Sequence, residues 1–492
     1  MKKILITLPL IVIVIVLGAC GGSGYGRSGG TPPPVNGGGG SYTNASLSGT
    51  WVFTAHGSGN TSDFAVLGIF TTDGAGNITS GSQDVNDSSA GYKASTPITT
   101  GTYSVNSDGR GQVQLRPNSG SSVVFRFVLT SSGKARLFEV SGLEDATGQM
   151  FKQDSTAIAN LSGTYVLRLD GFFGGNIDSV VGQLVATGGP TSGTLAVTFD
   201  ENYSGSVTAQ QPGSGTFNMT TNGRGTASLN GAAGTFSLVY YIVNSGHIEI
   251  LETDTNAVLA GGADLQSGTF STAINGPFVF SVAGLQNTGG GFVGSIREVG
   301  HIQLDGSGNI TAGVEDYNVG GSYSQGVTFT GTYTVAASGR LTMHFVYPSF
   351  TADYVGWLST PQSGVLLTDD TTTVESGSML QQTVTPTNAT LNGNYGVAFA
   401  GPNYTNNYNV EFTAALAFDG TGNISGTQDF QAGGVLVPNT ALTGSYFIDN
   451  TGIAAGNLGG LPFRLYIANS SNAYFIAADS GRGYSGVVVL QQ

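Results

Sequence analysis

Between residues 49 and 153 the chain breaks into eight short apolar-rich runs, near 49–55, 64–71, 77–85, 99–105, 111–116, 123–130, 134–140 and 148–153. Several alternate with period two, as in Phe125, Phe127 and Leu129 set against Val124, Arg126 and Val128. That is the spacing of β-strands whose side chains point to opposite faces. The links are short and rich in Asp-Gly, Asn-Gly and Ser-Gly, which supply the positive φ that tight hairpins need. No long window carries a sustained 3.6-residue period, so consecutive hairpins in an up-and-down meander are predicted.

The pattern repeats. Leu47-Ser-Gly-Thr-Trp51, Leu161-Ser-Gly-Thr-Tyr165, Ile274-Asn-Gly-Pro-Phe278 and Leu391-Asn-Gly-Asn-Tyr395 open four segments. Gly101-Thr-Tyr103, Gly215-Thr-Phe217, Gly331-Thr-Tyr333 and Gly444-Ser-Tyr446 recur inside them, and each closes on a glutamine-bearing strand ending near Gln153, Gln266, Gln382 and Gln492. The predicted units are 47–154, 160–267, 273–382 and 390–492. Eight antiparallel strands per unit can close into a barrel, which removes the open edges that would otherwise invite aggregation among tandem copies. The fold class read from the chain is all-β, four tandem eight-stranded up-and-down barrels. The alternatives are one sandwich per unit, or four-stranded blades combined in one large propeller. Short linkers at 155–159 and 383–390 suggest a semi-rigid string of units.

Gly49-Thr50-Trp51 resembles the Gly-X-Trp opening of the calycins, the lipocalin and avidin group of eight-stranded barrels, although the later units carry Tyr165, Phe278 and Tyr395 at the aromatic position. The whole chain is also similar to uncharacterised Gly/Thr-rich repeat lipoproteins of soil bacteria, a likeness that implies no activity.

The N-terminus reads as an address. Lys2 and Lys3 precede an apolar run from Ile4 to Leu17 that contains one polar residue, Thr7, followed by Gly18 and Ala19. Residues 1–19 have the anatomy of an export signal, too short for a spanning helix. Leu17-Gly18-Ala19-Cys20 resembles a bacterial lipobox, which implies acylation of Cys20 and, with Gly21 after it, an outer-membrane or cell-surface location. Cys20 is the only cysteine, so no internal disulfide is available. Residues 20–46, rich in Gly and Pro, are predicted to be a flexible tether between lipid and folded units.

Composition narrows the function classes. Only 9% of residues are charged and the formal net charge is −14; removing Lys2 and Lys3 leaves 14 basic against 30 acidic residues, or −16. Such a surface repels nucleic acid. His56, His247, His301 and His344 show no metal-ligand spacing, and neither a nucleophile elbow nor a phosphate-binding Gly-Lys-Ser/Thr loop is present. No cofactor is expected.

Four groups of residues remain as candidate chemistry. Asp73-Gly-Ala-Gly-Asn77, Asp305-Gly-Ser-Gly-Asn309 and Asp419-Gly-Thr-Gly-Asn423 offer oxygen ligands for Ca²⁺, or serve simply as hairpin turns. The second unit lacks this marker and offers Asp200-Glu-Asn-Tyr-Ser-Gly205 in roughly that place. Asp84, Asp316 and Asp429, ten or eleven residues past the turn aspartates, are candidate ligand-binding carboxylates in a barrel mouth or end-of-strand caps. Arg110, Arg224 and Arg340 are candidate anion contacts or solvated turn residues, with Ile453 in the fourth unit's place. Tyr103, Tyr333 and Tyr446 are candidate aromatic platforms. The expectation is a non-enzymatic envelope lipoprotein, its repeats an array that binds a glycan, a surface or a small apolar ligand. A structural stalk is the second reading, and a hydrolase with one active repeat the third.

Overall fold

The computed structural model describes residues 42–58, 62–141, 145–158, 160–231, 234–287, 291–449 and 451–492. The export signal, Cys20 and most of the tether lie outside the described residues. The described chain is all-β, in four closed eight-stranded antiparallel barrels. This is consistent with calycin-like repeats and excludes the sandwich and the propeller.

In the first barrel the strands are β1 (Gly49–Ser58), β2 (Asp63–Thr72), β3 (Asn77–Asp87), β4 (Lys93–Val105), β5 (Arg110–Pro117), β6 (Val123–Ser131), β7 (Lys134–Glu139) and β8 (Asp145–Lys152). Each pairs with the next, and β1 closes on β8. The second barrel repeats the scheme with β9 (Gly163–Phe173), β10 (Asn176–Gly188), β11 (Ser192–Tyr203), β12 (Ser206–Met219), β13 (Arg224–Gly231), β14 (Gly234–Asn244), β15 (His247–Glu252) and β16 (Ala257–Leu265). The third and fourth occupy residues 275–381 and 392–490.

The opening motif has a physical reason. Leu47, Leu161, Ile274 and Leu391 are buried against the barrel floor together with the aromatic residue four positions on. The glycine between them turns the chain into the first strand with positive φ, from 97° at Gly276 to 143° at Gly393, a conformation that a Cβ disfavours. The Gly-Thr-Tyr marker locks the same floor. The Tyr103 hydroxyl donates to the Asn44 carbonyl (3.1 Å), Tyr333 to Ile274 (2.6 Å) and Tyr446 to Leu391 (2.8 Å). These three rings are buried core residues, so they offer no aromatic platform.

Instead of a string, the barrels form a closed ring. Outward faces of successive barrels share apolar clusters: Val52, Leu67 and Phe151 with Val239, Tyr241 and Leu251; Val166 and Val181 with Val355 and Trp357; Val279 and Val299 with Tyr466 and Ile476. The fourth barrel then returns to the first, where strand Tyr408–Asp419 lies against β6, β7 and β8. The glutamine closing each unit staples it to its neighbour. Gln153 donates to the Ile242 carbonyl (2.8 Å), Gln266 to Leu358 (2.7 Å), Gln382 to Ile467 (2.7 Å), and Gln491 to Leu129 of the first barrel (2.9 Å).

Candidate functional site

Two kinds of polar site emerge from this frame, one between barrels and one inside a barrel. The first gathers the sequence-predicted aspartates. Asp84, Asp316 and Asp429 point outward from their barrels into the interfaces and not into a mouth, because the strand alternation turns Gln83 and Glu315 toward the lumen instead. Asp200 of β11 is the fourth member of the set: it pairs with Val181 as Asp84 pairs with Leu67. It is therefore no substitute for the missing turn, which falls between Gly188 and Ser192.

All four carboxylates are wholly buried. Each faces a register shift in the adjoining strand pair and accepts a main-chain N–H from a residue in left-handed conformation. Those donors are Ser95 (φ 45°), Gln210 (φ 50°), Gly326 (φ 63°) and Asn439 (φ 55°). The bulge thus replaces a lost ladder bond with a side-chain acceptor.

Each aspartate also takes an arginine from the neighbouring barrel. Arg224 reaches Asp84 at 2.6 Å, Arg340 reaches Asp200 at 2.7 Å and Arg110 reaches Asp429 at 2.8 Å. Asp316 is met at 2.8 Å by Arg464, which projects from the strand after the one that holds Ile453. The anion these arginines contact is the chain's own carboxylate. Burial pushes the Asp84 carboxyl up, but Arg224, the Tyr92 hydroxyl and the Ser95 N–H together hold it below the usual carboxylate value. Asn86 and Asn202 add a second tie, donating to carbonyls in the last loop of the next barrel, at 2.6 Å to Ala257 and 2.9 Å to Thr368.

The candidate Ca²⁺ turns are self-contained. Asp73 Oδ1 accepts the N–H groups of Ala75 (2.7 Å), Gly76 (3.1 Å) and Asn77 (3.0 Å), and the Asn77 side-chain amide donates to Oδ2 (2.7 Å). Asp305 with Asn309 and Asp419 with Asn423 repeat this. The amide of Asn77, then the turn N–H groups, lower the Asp73 carboxyl to about 2. Among the described residues no three His, Cys, Asp or Glu side chains are grouped to hold a metal ion.

The second site was not anticipated. The lumen of the second barrel contains a cavity of about 440 Å³, walled by Leu167, Leu169, Leu184, Val197, Leu229 and Ile250. That volume lies within the range of small-molecule sites. At two lining positions other barrels carry more bulk: Leu238 stands where Phe125, Tyr354 and Phe463 stand, and Leu167 where Phe53 and Phe280 stand, while Phe199 and Phe236 keep one ring pair in the cavity wall, 6.2 Å apart. Those lumens are filled by packed rings, such as Phe53 with Phe125 (5.9 Å between centroids), Phe329 with Phe345 (4.4 Å) and Phe399 with Phe412 (4.1 Å).

The open end of the cavity is acidic. Asp178 of β10, Glu201 of β11, Glu252 of β15 and Asp254 beyond it line that end, and no lining residue is basic. Burial, then the charge of Glu201, pushes Asp178 well above its ordinary value. Burial, then Asp254 and Asp178, raises Glu252 to about 8. The Asp178 Oδ1 is buried without a hydrogen-bond partner. Phe173, 43% exposed, packs edge-on against Tyr203 (5.6 Å) at the rim. Asn86 of the first barrel holds the Glu252 carbonyl at 2.9 Å, so the ring contact also fixes the cavity's lip.

No family model matches the chain, and no curated protein matches it.

Proposed function

We propose that the chain is a non-enzymatic binding protein of the bacterial cell envelope, held to a membrane through acylated Cys20, in which the second calycin-like barrel takes up one small apolar ligand. The observation that carries this reading is the cavity of about 440 Å³, beside Leu238 at the position where the other barrels hold the rings of Phe125, Tyr354 and Phe463. Such a cavity forgoes the packing that the other lumens have. Lost core contacts of that kind cost stability, and an apolar ligand would recover part of them. The other three barrels then serve as scaffold, and their interfaces keep the second barrel's mouth in shape. This narrows the array expected from the repeats to a single site.

Leu238→Phe tests the reading, because the first barrel already accommodates Phe125 at that position. A fluorescent apolar probe such as N-phenyl-1-naphthylamine is expected to bind the native protein and to lose at least about tenfold in affinity, equivalent to ~1.4 kcal/mol, in the filled variant. Equal binding by both proteins would place the probe elsewhere and defeat the proposal.

A further inference from the structure

We infer that the ligand of the second barrel is an amphiphile with an ammonium head, its apolar body in the leucine-lined lumen and its cation among the carboxyl groups at the open end. This rests on the reading of that barrel as the binding site and adds the chemical class of what it binds.

Position 178 supplies the first argument. Its registered partner is Gly171, and the corresponding positions opposite Gly57, Gly284 and Gly401 are Phe64, Ile296 and Val410. Only the barrel with the cavity places an acid at this lumen-facing site. Asp178 is 5% exposed and its Oδ1 meets no donor. A buried acceptor left unpaired costs about 1–3 kcal/mol, and a donor on the ligand removes that cost.

The second argument is the sign of the field. The groups facing Asp178 are Glu201 on β11, Glu252 on β15, Asp254 in the following loop, the Tyr203 hydroxyl, and Asp170 on β9, whose nearest cation is Arg168 at 3.0 Å. Among the described residues, the Thr208 hydroxyl, at 3.3 Å, is the neutral donor to Glu201. After burial, the charges that raise Asp178 are those of Glu201 and Asp170, against the Ser179 N–H, which lowers it. An ammonium group favours the ionised form of each acid around it and is attracted by it, whereas an anionic head gains nothing from their ionisation. In the empty site, burial and neighbouring carboxylates raise Asp178 well above its ordinary value and Glu252 to about 8. Binding R–NH₃⁺ therefore expels protons: each carboxylic acid that pairs with the cation releases one H⁺ to solvent, and no covalent bond changes. Affinity for the amine must rise with pH until the amine itself deprotonates.

The test compares decan-1-amine, decan-1-ol and decanoate as displacers of the fluorescent probe, at pH 5 and pH 8, on the native protein and on Asp178→Ile, which carries the third barrel's residue. The amine is expected to bind about tenfold or more tighter than the alcohol at pH 8, the scale of one charge-assisted hydrogen bond. That advantage should shrink at pH 5 and disappear in Asp178→Ile, which still binds the alcohol. An alcohol that matches the amine at pH 8, or a preference for decanoate, overturns the ammonium assignment while leaving the binding barrel intact. If neither probe nor any decyl compound binds, the binding reading falls and this inference with it.

Discussion

A single aspartate on the third strand of each barrel ties it to the next. Asp84, Asp200, Asp316 and Asp429 combine a fully buried carboxylate, a bulge N–H and a guanidinium from the next barrel. Removing one partner of such a pair strands a buried charge, and the cost is several times that of an exposed pair. Asp84→Ala is expected to lose about 3–5 kcal/mol in urea-induced unfolding. Asp353→Ala breaks the half-exposed contact with His344 at 2.7 Å and should lose no more than about 1 kcal/mol. Comparable losses would remove the aspartates' special role. The sequence showed three of these acids and three of the arginines at repeated positions. It did not show that they meet, because the partners lie in different repeats, 140 to 319 residues apart.

At the scale of strands and turns, most of the fold was legible. Since alternation and Gly-rich turns mark strands directly, the eight runs of the first unit fall on β1 to β8 with small shifts at their ends, except that β4 begins at Lys93 and not near 99. The inward-facing acids were less visible: Asp178 and Glu252 look like ordinary polar residues until the register shows which face they occupy. Aligning the four units by their opening motif and comparing lumen positions would have exposed both Asp178 and Leu238, because only the second unit has an acid at the one and a non-aromatic residue at the other.

These acids have a consequence for pH. Glu252 titrates at about 8 in the folded chain and near ~4.3 when unfolded. Between those values the native state holds a proton that the unfolded state has released. Its contribution to stability is complete below pH ~4.3 and is lost as pH rises through about 8. Asp178, Glu201, Glu315 and Glu375 shift in the same direction, mainly through burial. Asp73 and Asp84 shift down, so their contribution fades only in stronger acid. The melting temperature without ligand should be higher at pH 5 than at pH 8, and Glu252→Gln should flatten that slope. A melting temperature that climbs steadily toward pH 8 would show that these carboxyls ionise freely in the fold.

For the whole molecule, repetition and function separate. Four near-equivalent barrels supply one ring, closed by Gln491 on Leu129 and by Arg110 on Asp429, while the second unit lacks the Asp-Gly-X-Gly-Asn turn and carries Leu238 where the others carry an aromatic ring. The ring was hidden from the sequence because nothing in a repeat spacing distinguishes a string from a circle. The terminal glutamines were visible, but their acceptors are main-chain carbonyls, which carry no sequence signal. The central claim is that one barrel in four binds. Native mass spectrometry of the protein recovered from its own envelope, beside its Leu238→Phe variant, addresses this directly. The account predicts one small-molecule equivalent per chain in the native protein and none in the variant. Up to four equivalents, or an equivalent retained by the variant, would contradict it.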